Sequence, residues 1–190
     1  SSSWDWKVGE FLMKYKEELS RSMTWLAKKK DTIFLGQACA VSGHAISGTL
    51  EDVPIEKKIE LPVFEENQLG MSTGMALEGF TTITMYPRFD FFILACNQLV
   101  NHLDKMNEMS KGKMAPRVII RVAIGSKNPI DAGPQHTQNH TEAIKKMLTN
   151  IEVVELFEPE EIFPAFKNAY ERKDSKPTLF IEHGEYYGTK

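Results

Sequence analysis

The sequence predicts an α/β fold, a three-layer α/β/α arrangement around a mostly parallel sheet, in a single domain spanning residues 1–190. Three observations carry that prediction. Strand-like and helix-like stretches alternate without a break from about residue 59 onward, in βαβ fashion. The strand-like runs, such as RVIIRVAIG and TLFIEH, are nearly continuous in apolar residues, as expected of strands covered on both faces. The length of 190 residues suits one domain, which buries roughly 70% of the surface its unfolded chain exposes.

The elements follow in order. Val8, Phe11, Leu12, Tyr15, Leu19, Trp25 and Leu26 recur near helical spacing and predict a long amphipathic helix from Trp6 to Lys28, closed by the cations Lys28 to Lys30. TIFLGQ reads as a short buried strand. From Ala38 to Lys58, Gly43, Gly48 and Pro54 interrupt any period, so a long loop is expected. A strand at Ile59–Val63, a helix at Asn67–Leu77, the strand TTITMY, a helix at Phe92–Met109 and the strand RVIIRVAIG come next. A Gly/Pro-rich loop at Gly125–Gln138 precedes a helix at Thr141–Leu148, the strand VVELF, the helix EPEEIFPAFKNAYER and the last strand TLFIEH.

Composition narrows the function classes. With 42% hydrophobic and 26% charged residues and a net charge of -3, the chain is an ordinary globular sequence. Its lysines are interleaved with acids, so no basic face tracks a phosphate backbone and nucleic acid is not expected as a partner. The apolar run FFILAC is far too short to span a bilayer, no signal-peptide pattern shows in the charged N-terminal stretch, and a cytoplasmic location is expected. Cys39 and Cys96 lack C-x-x-C spacing, and Cys96 is expected in the core. His136 and His140 stand four apart, but H-T-Q-N-H lacks the glutamate of H-E-x-x-H and a third ligand, so no metal site is expected on this chain.

Right-handed crossovers place every parallel strand's C-terminal end on one edge, where such sheets bind ligands. Glu65, the segment Tyr86–Phe91 and the loop holding His136 all fall there. Glu65 follows Val63 and Phe64 and faces a helix whose Gly70, Ser72, Gly74 and Ala76 let a second backbone come close; a carboxyl group in that setting is placed to bond a heterocyclic nitrogen. Glu66 reads as a first-turn acid complementing the helix dipole. Tyr86, Phe89 and Phe91 either offer a ring for stacking or plug the top of the core. His136, in DAGPQHTQNH, suits a proton shuttle. Walker and G-x-G-x-x-G patterns do not occur.

Taken together, FEENQLGMSTGMALEGF, YPRFDF, CNQLVNHLDKMNEMSKG, PRVIIRVAIG and GPQHTQ resemble the pyrimidine-binding domain of thiamine-diphosphate enzymes of the transketolase and 2-oxoacid dehydrogenase beta-subunit group, over about Thr32–Glu185. The resemblance implies that Glu65 contacts the aminopyrimidine ring nitrogen and favours its imino tautomer, and that Phe91, with Tyr86 and Phe89, faces the ring. It also implies that His136 acts beside the substrate. Arg88, Asp131 and His44 are the tentative substrate contacts, for sugar hydroxyls or a phosphate. The family's G-D-G followed by N-N is missing from this sequence, as is a further C-terminal domain. The resemblance therefore implies a split enzyme: a separate diphosphate-binding subunit carries the Mg2+, the pair forms an α2β2-like heterotetramer, and this chain alone is inactive. Ketol transfer of the transketolase kind is favoured by D-A-G-P-Q-H-T-Q. A 2-oxoacid decarboxylase or dehydrogenase beta subunit, or a non-catalytic scaffold, is the alternative.

Overall fold

The computed structural model describes residues 13–190. Helix α1 (Tyr15–Ala27) leads into β1 (Thr32–Gly36), and β2 (Lys58–Glu60) precedes α2 (Glu65–Leu77) and β3 (Thr81–Tyr86). After a one-turn helix α3 (Phe89–Phe92) come a 3-10 turn (Ile93–Ala95), a π-helical stretch (Asn97–Leu103) and α4 (Met106–Met109). Strand β4 (Val118–Ile124), α5 (Thr141–Met147), β5 (Glu152–Glu155), α6 (Pro159–Glu171) and β6 (Thr178–His183) complete the fold. The six strands form one sheet in the order β2-β1-β3-β4-β6-β5, and every pair is parallel.

Strands β3 and β4 are buried along their whole length, which is why they read as continuous apolar runs. Successive side chains still point to opposite layers. Ile119 and Phe180 pack with Leu19, Met23 and Phe166 under α1 and α6. Ile120, Val122 and Ile181 pack with Leu69, Phe92 and Leu99 under α2 and the segment after β3. Within the α1–α6 layer lies Arg121, fully buried, whose Nε and Nη2 donate to the Glu182 carboxylate at 2.5 and 2.9 Å. Its Nη1 donates to Thr49 Oγ1 at 3.0 Å, and Tyr187 Oη donates to Glu182, so every charge in this pair is met by a partner.

The structure departs from the expected elements in a few places. The N-terminal helix runs Tyr15–Ala27 within the described residues, while Val8, Phe11 and Leu12 lie outside them. The long loop holds two 3-10 turns, Ala45–Leu50 and Ile55–Lys57, too short to impose a period. Strand β2 is only three residues long, ending before Pro62, which has no N–H for a ladder. The expected helix at Phe92–Met109 is broken. Asp104 N donates to Leu99 O at 2.9 Å, a bond five residues back, and this wide turn sends Ala95, Leu99 and Leu103 inward. Cys96 is therefore only half-buried, against expectation, and Cys39 is the buried thiol.

Candidate active site

Helix α2 starts at Glu65, two residues earlier than the sequence suggested, and Phe64 before it is non-helical, with φ -157° and ψ 82°. Both acids thus sit in the first turn, where the helix dipole favours them. Glu66 faces out, and its Oε1 accepts from Asn97 Nδ2 at 2.6 Å. Glu65 turns inward and is only 5% exposed. One turn later, Gln68 Nε2 donates to Thr84 Oγ1 at 2.9 Å and to Met85 O at 2.8 Å, which fixes the helix against the end of β3.

The aromatic cluster divides by side. Tyr86 and Phe89 have no exposed surface, and their rings pack on Phe92 with centroids 4.7 and 6.2 Å away. The expectation that they stack on a cofactor is corrected: neither can offer a ring face, because alternation along β3 and the turn into α3 direct both to the core. Tyr86 keeps one polar asset, a buried hydroxyl without a partner among the described residues. Burial pushes this phenol well above its ordinary value; Thr84 opposes the shift, and the Glu65 charge adds a smaller push. Phe91 points the other way, is 40% exposed, and lies edge-on to His136 with centroids 5.6 Å apart.

The His136 loop is built by short bonds. Asp131 Oδ1 accepts from Gly133 N at 2.8 Å, and Gly133 O accepts from His136 N at 3.0 Å. Asp90, 4% exposed, accepts from Gln138 Nε2 at 2.8 Å and from Gln138 N at 3.3 Å through Oδ1. Its Oδ2 is buried and unpartnered among the described residues. Beneath the loop, a Cβ on Gly125 would lie 1.9 Å from His136 O, so only glycine admits this approach. Sequence reading missed Asp90, Gln138 and Gly125; an acid wedged between Phe89 and Phe91 was the one visible sign.

The tentative substrate contacts separate as well. His44 and Arg88 line one cleft of about 420 Å³ at the C-terminal edge of the sheet, with Gly125 in its wall. Asp131 does not join them: it is spent on capping Gly133 and borders a different depression with Lys127 and His140. His140 packs edge-on to Phe89 at 5.5 Å, and among the described residues no cluster of three or more potential metal ligands forms.

Residues 14–189 match the family model described as "Transketolase, pyrimidine binding domain". The chain is 28% identical over 141 residues to the pyruvate dehydrogenase E1 component subunit beta of Rickettsia conorii, covering 74% of this chain and 42% of that protein. It is 25% identical over 180 residues to the mitochondrial pyruvate dehydrogenase E1 component subunit beta of Saccharomyces cerevisiae, covering 93% and 48%. A solved structure titled "Split gene transketolase, inactive beta4 tetramer" shares the fold with a TM-score of 0.61, at 13% identity, over 90% of this chain and 52% of that one. The chain thus spans about half the length of the relatives it matches.

Proposed function

The chain belongs to the transketolase pyrimidine-binding domain family, and from that premise we propose that it is the pyrimidine-binding subunit of a two-chain thiamine-diphosphate enzyme transferring a two-carbon ketol or an acyl unit. The observation that supports this reading is the contact of Phe91 with His136 at the sheet edge where α2 starts with the buried Glu65. Glu65 is sheltered at the start of α2, and Phe91, still 40% exposed, lies edge-on to His136.

These residues fit the heterocycle. A sheltered carboxyl group can bond a ring nitrogen, and an exposed phenyl can cover a flat ring. When bound, thiamine diphosphate supplies the nucleophilic carbon that cleaves and forms carbon–carbon bonds beside a carbonyl. In the proposed site Glu65 orients the ring and holds a proton at its nitrogen. His136, fixed through Gly125 and Asp90, gives and takes protons on the substrate side. Phe91 excludes water from one ring face.

We assign the diphosphate and its Mg2+ to a partner subunit, a reading supported by relatives named as a subunit beta and by a solved structure titled as a split gene transketolase. Val63, Phe64 and Met71 expose large apolar side chains on and just before α2, as do Ile93 and Leu94 nearby. On the same helix a Cβ at Gly74 would meet nothing within 4 Å, which leaves that stretch open to a second backbone. We place the partner there, in an α2β2-like heterotetramer, and the pair in the cytoplasm. A beta-subunit role in 2-oxoacid dehydrogenation is the second reading, favoured by the pyruvate dehydrogenase relatives.

The test is reconstitution. The chain is purified with a subunit carrying G-D-G and N-N, and turnover is compared for a ketose phosphate and a 2-oxoacid. Glu65→Gln in the pair is expected to lower turnover roughly 10²–10⁴-fold, the range for a positioned acid-base group. Unchanged turnover would refute the role of Glu65.

A further inference from the structure

We propose that Glu155 is a positioning residue for the loop that carries His136: its carboxylate grips Asn139 and fastens that loop from the side opposite Asp90. The proposal rests on the function above for the role of His136, but its structural claim concerns this chain alone.

The loop between β4 and α5 is long, and a loop of that kind must be fastened if one of its side chains is to hold a fixed place. Two consecutive residues fasten it, in different directions. Gln138 Nε2 donates to Asp90 Oδ1, in the turn after β3, at 2.8 Å. Asn139 Nδ2 donates to Glu155 Oε1, at the end of β5, at 2.9 Å. In the sheet order β4 and β6 lie between β3 and β5, so the two tethers pull toward opposite sides of the strand from which the loop leaves. A single hydrogen bond leaves a loop free to swing about it. A second one, directed the other way, removes that freedom.

Neither end of the outer tether is loose. Asn139 spends its whole amide, because Oδ1 accepts from Thr141 N at 2.9 Å and from Thr141 Oγ1 at 2.6 Å while Nδ2 faces Glu155. The Thr141 N–H needs an acceptor, so this amide has one orientation only. Glu155 is held in turn. A carboxylate only accepts, and His183 Nε2 therefore donates to the same Oε1 at 3.0 Å. The His183 ring is stacked on Tyr186 at 4.8 Å and lies against Phe157 at 5.1 Å, and its backbone N–H donates to Tyr15 Oη at 3.2 Å. Side chains of His183 and Glu155 are 16% and 14% exposed, so water competes little for the bond between them.

Sequence position connects the tether to the chemistry. Only Thr137 separates His136 from the tethered pair, and Phe91 directly follows Asp90. The inner tether thus sets how near the His136 loop comes to Phe91. With Gln138 bound alone, the loop keeps a hinge at that residue; with Asn139 bound as well, His136 has one placement, edge-on to Phe91 at 5.6 Å. Glu155 acts on His136 only through Asn139.

NMR spectra of the purified chain test the structural claim. Asn139→Asp keeps an oxygen for Thr141 N but sets a second carboxylate against Glu155, and loss of the proton–proton contact between Phe91 and His136 is expected. Adding Glu155→Gln should restore the contact, since the new amide accepts from His183 and donates to the new carboxylate. Melting temperatures show which variants fold. Should Asn139→Asp fail to fold, Asn139→Ser, which keeps an oxygen for Thr141 N and merely removes the donor to Glu155, gives the same readout. A contact that persists in the folded single variant overturns the proposal, as does a folded double variant in which it stays lost. A side chain that served only to support the start of α5 would show neither the loss nor the rescue. In a working pair, Asn139→Asp is expected to lower kcat by up to roughly 10²-fold with little change in KM, the scale of a misplaced catalytic group, and Glu155→Gln to recover it. Unchanged kcat would break the link to His136. Since the spectra need neither thiamine diphosphate nor a partner, a failed reconstitution would count against the function proposed above and leave the tether standing.

Discussion

The side-chain amide of Gln138 donates to the buried Asp90 carboxylate at 2.8 Å, joining the loop that carries His136 to the turn that carries Phe91. Gln138 and Asp90 are 48 residues apart in sequence, so the acid acts as a clasp between the segment of Phe91 and the loop of His136. Asp90→Ala should lower stability by about 1–3 kcal/mol, through loss of its hydrogen bonds from Gln138 to a charged acceptor. It should also lower turnover in a reconstituted pair more than stability alone explains. Loss of the proton–proton contact between Phe91 and His136 in NMR spectra would be the structural signature, and its persistence would remove Asp90 from this role.

Gly125 sets a second constraint. A methyl group there would sit 1.9 Å from His136 O, and the obstacle is backbone, which cannot rotate away. Gly125→Ala should displace the loop and lower the melting temperature, whereas Gly74→Ala, with open space around it, should raise the lone chain's stability by about 0.5–1 kcal/mol. Equal melting temperatures for the two variants would contradict this.

Arg121 and Glu182 form an ion pair in which neither side chain is exposed. Glu182→Ala should cost about 3–5 kcal/mol in urea unfolding, because it strands a buried guanidinium. Replacing both by apolar residues, Arg121→Met with Glu182→Leu, should cost less than the single change. A double variant weaker than Glu182→Ala would show that the pair contributes more than mutual charge compensation.

Asp104 gives the fold a defined acid limit. Burial by itself would raise its pKa, but Lys105 and the N–H groups of Ile151, Asn150 and Thr149 outweigh that and hold it at about 2, below the ordinary value of 3.8. A carboxyl depressed in the folded state adds stability above its unfolded pKa and loses that contribution as pH falls through the folded one. The unfolding temperature should therefore drop more steeply between about pH 4 and pH 2 for the native chain than for Asp104→Asn. Parallel slopes would deny Asp104 this part.

The sequence by itself determined the layer order, the bounds of β3 and β6, and the presence of Glu65, Phe91 and His136 at one edge. A strand buried on both faces must be apolar throughout, parallel strands must be joined by crossovers, and those two requirements leave a one-dimensional trace. What only the tertiary structure decided is where side chains point once the elements meet. Within Y-P-R-F-D-F the spacing could not separate Tyr86 and Phe89, which fill the core, from Phe91, which remains accessible. Nor could it show that the helix after β3 widens into a π turn, or that Arg121 finds Glu182 across 61 residues of sequence. It placed Asp131 with Arg88, and the folded loop turned it aside to cap Gly133. Each of these depends on contacts between distant segments, where packing and charge pairing in three dimensions override what neighbours along the chain prefer.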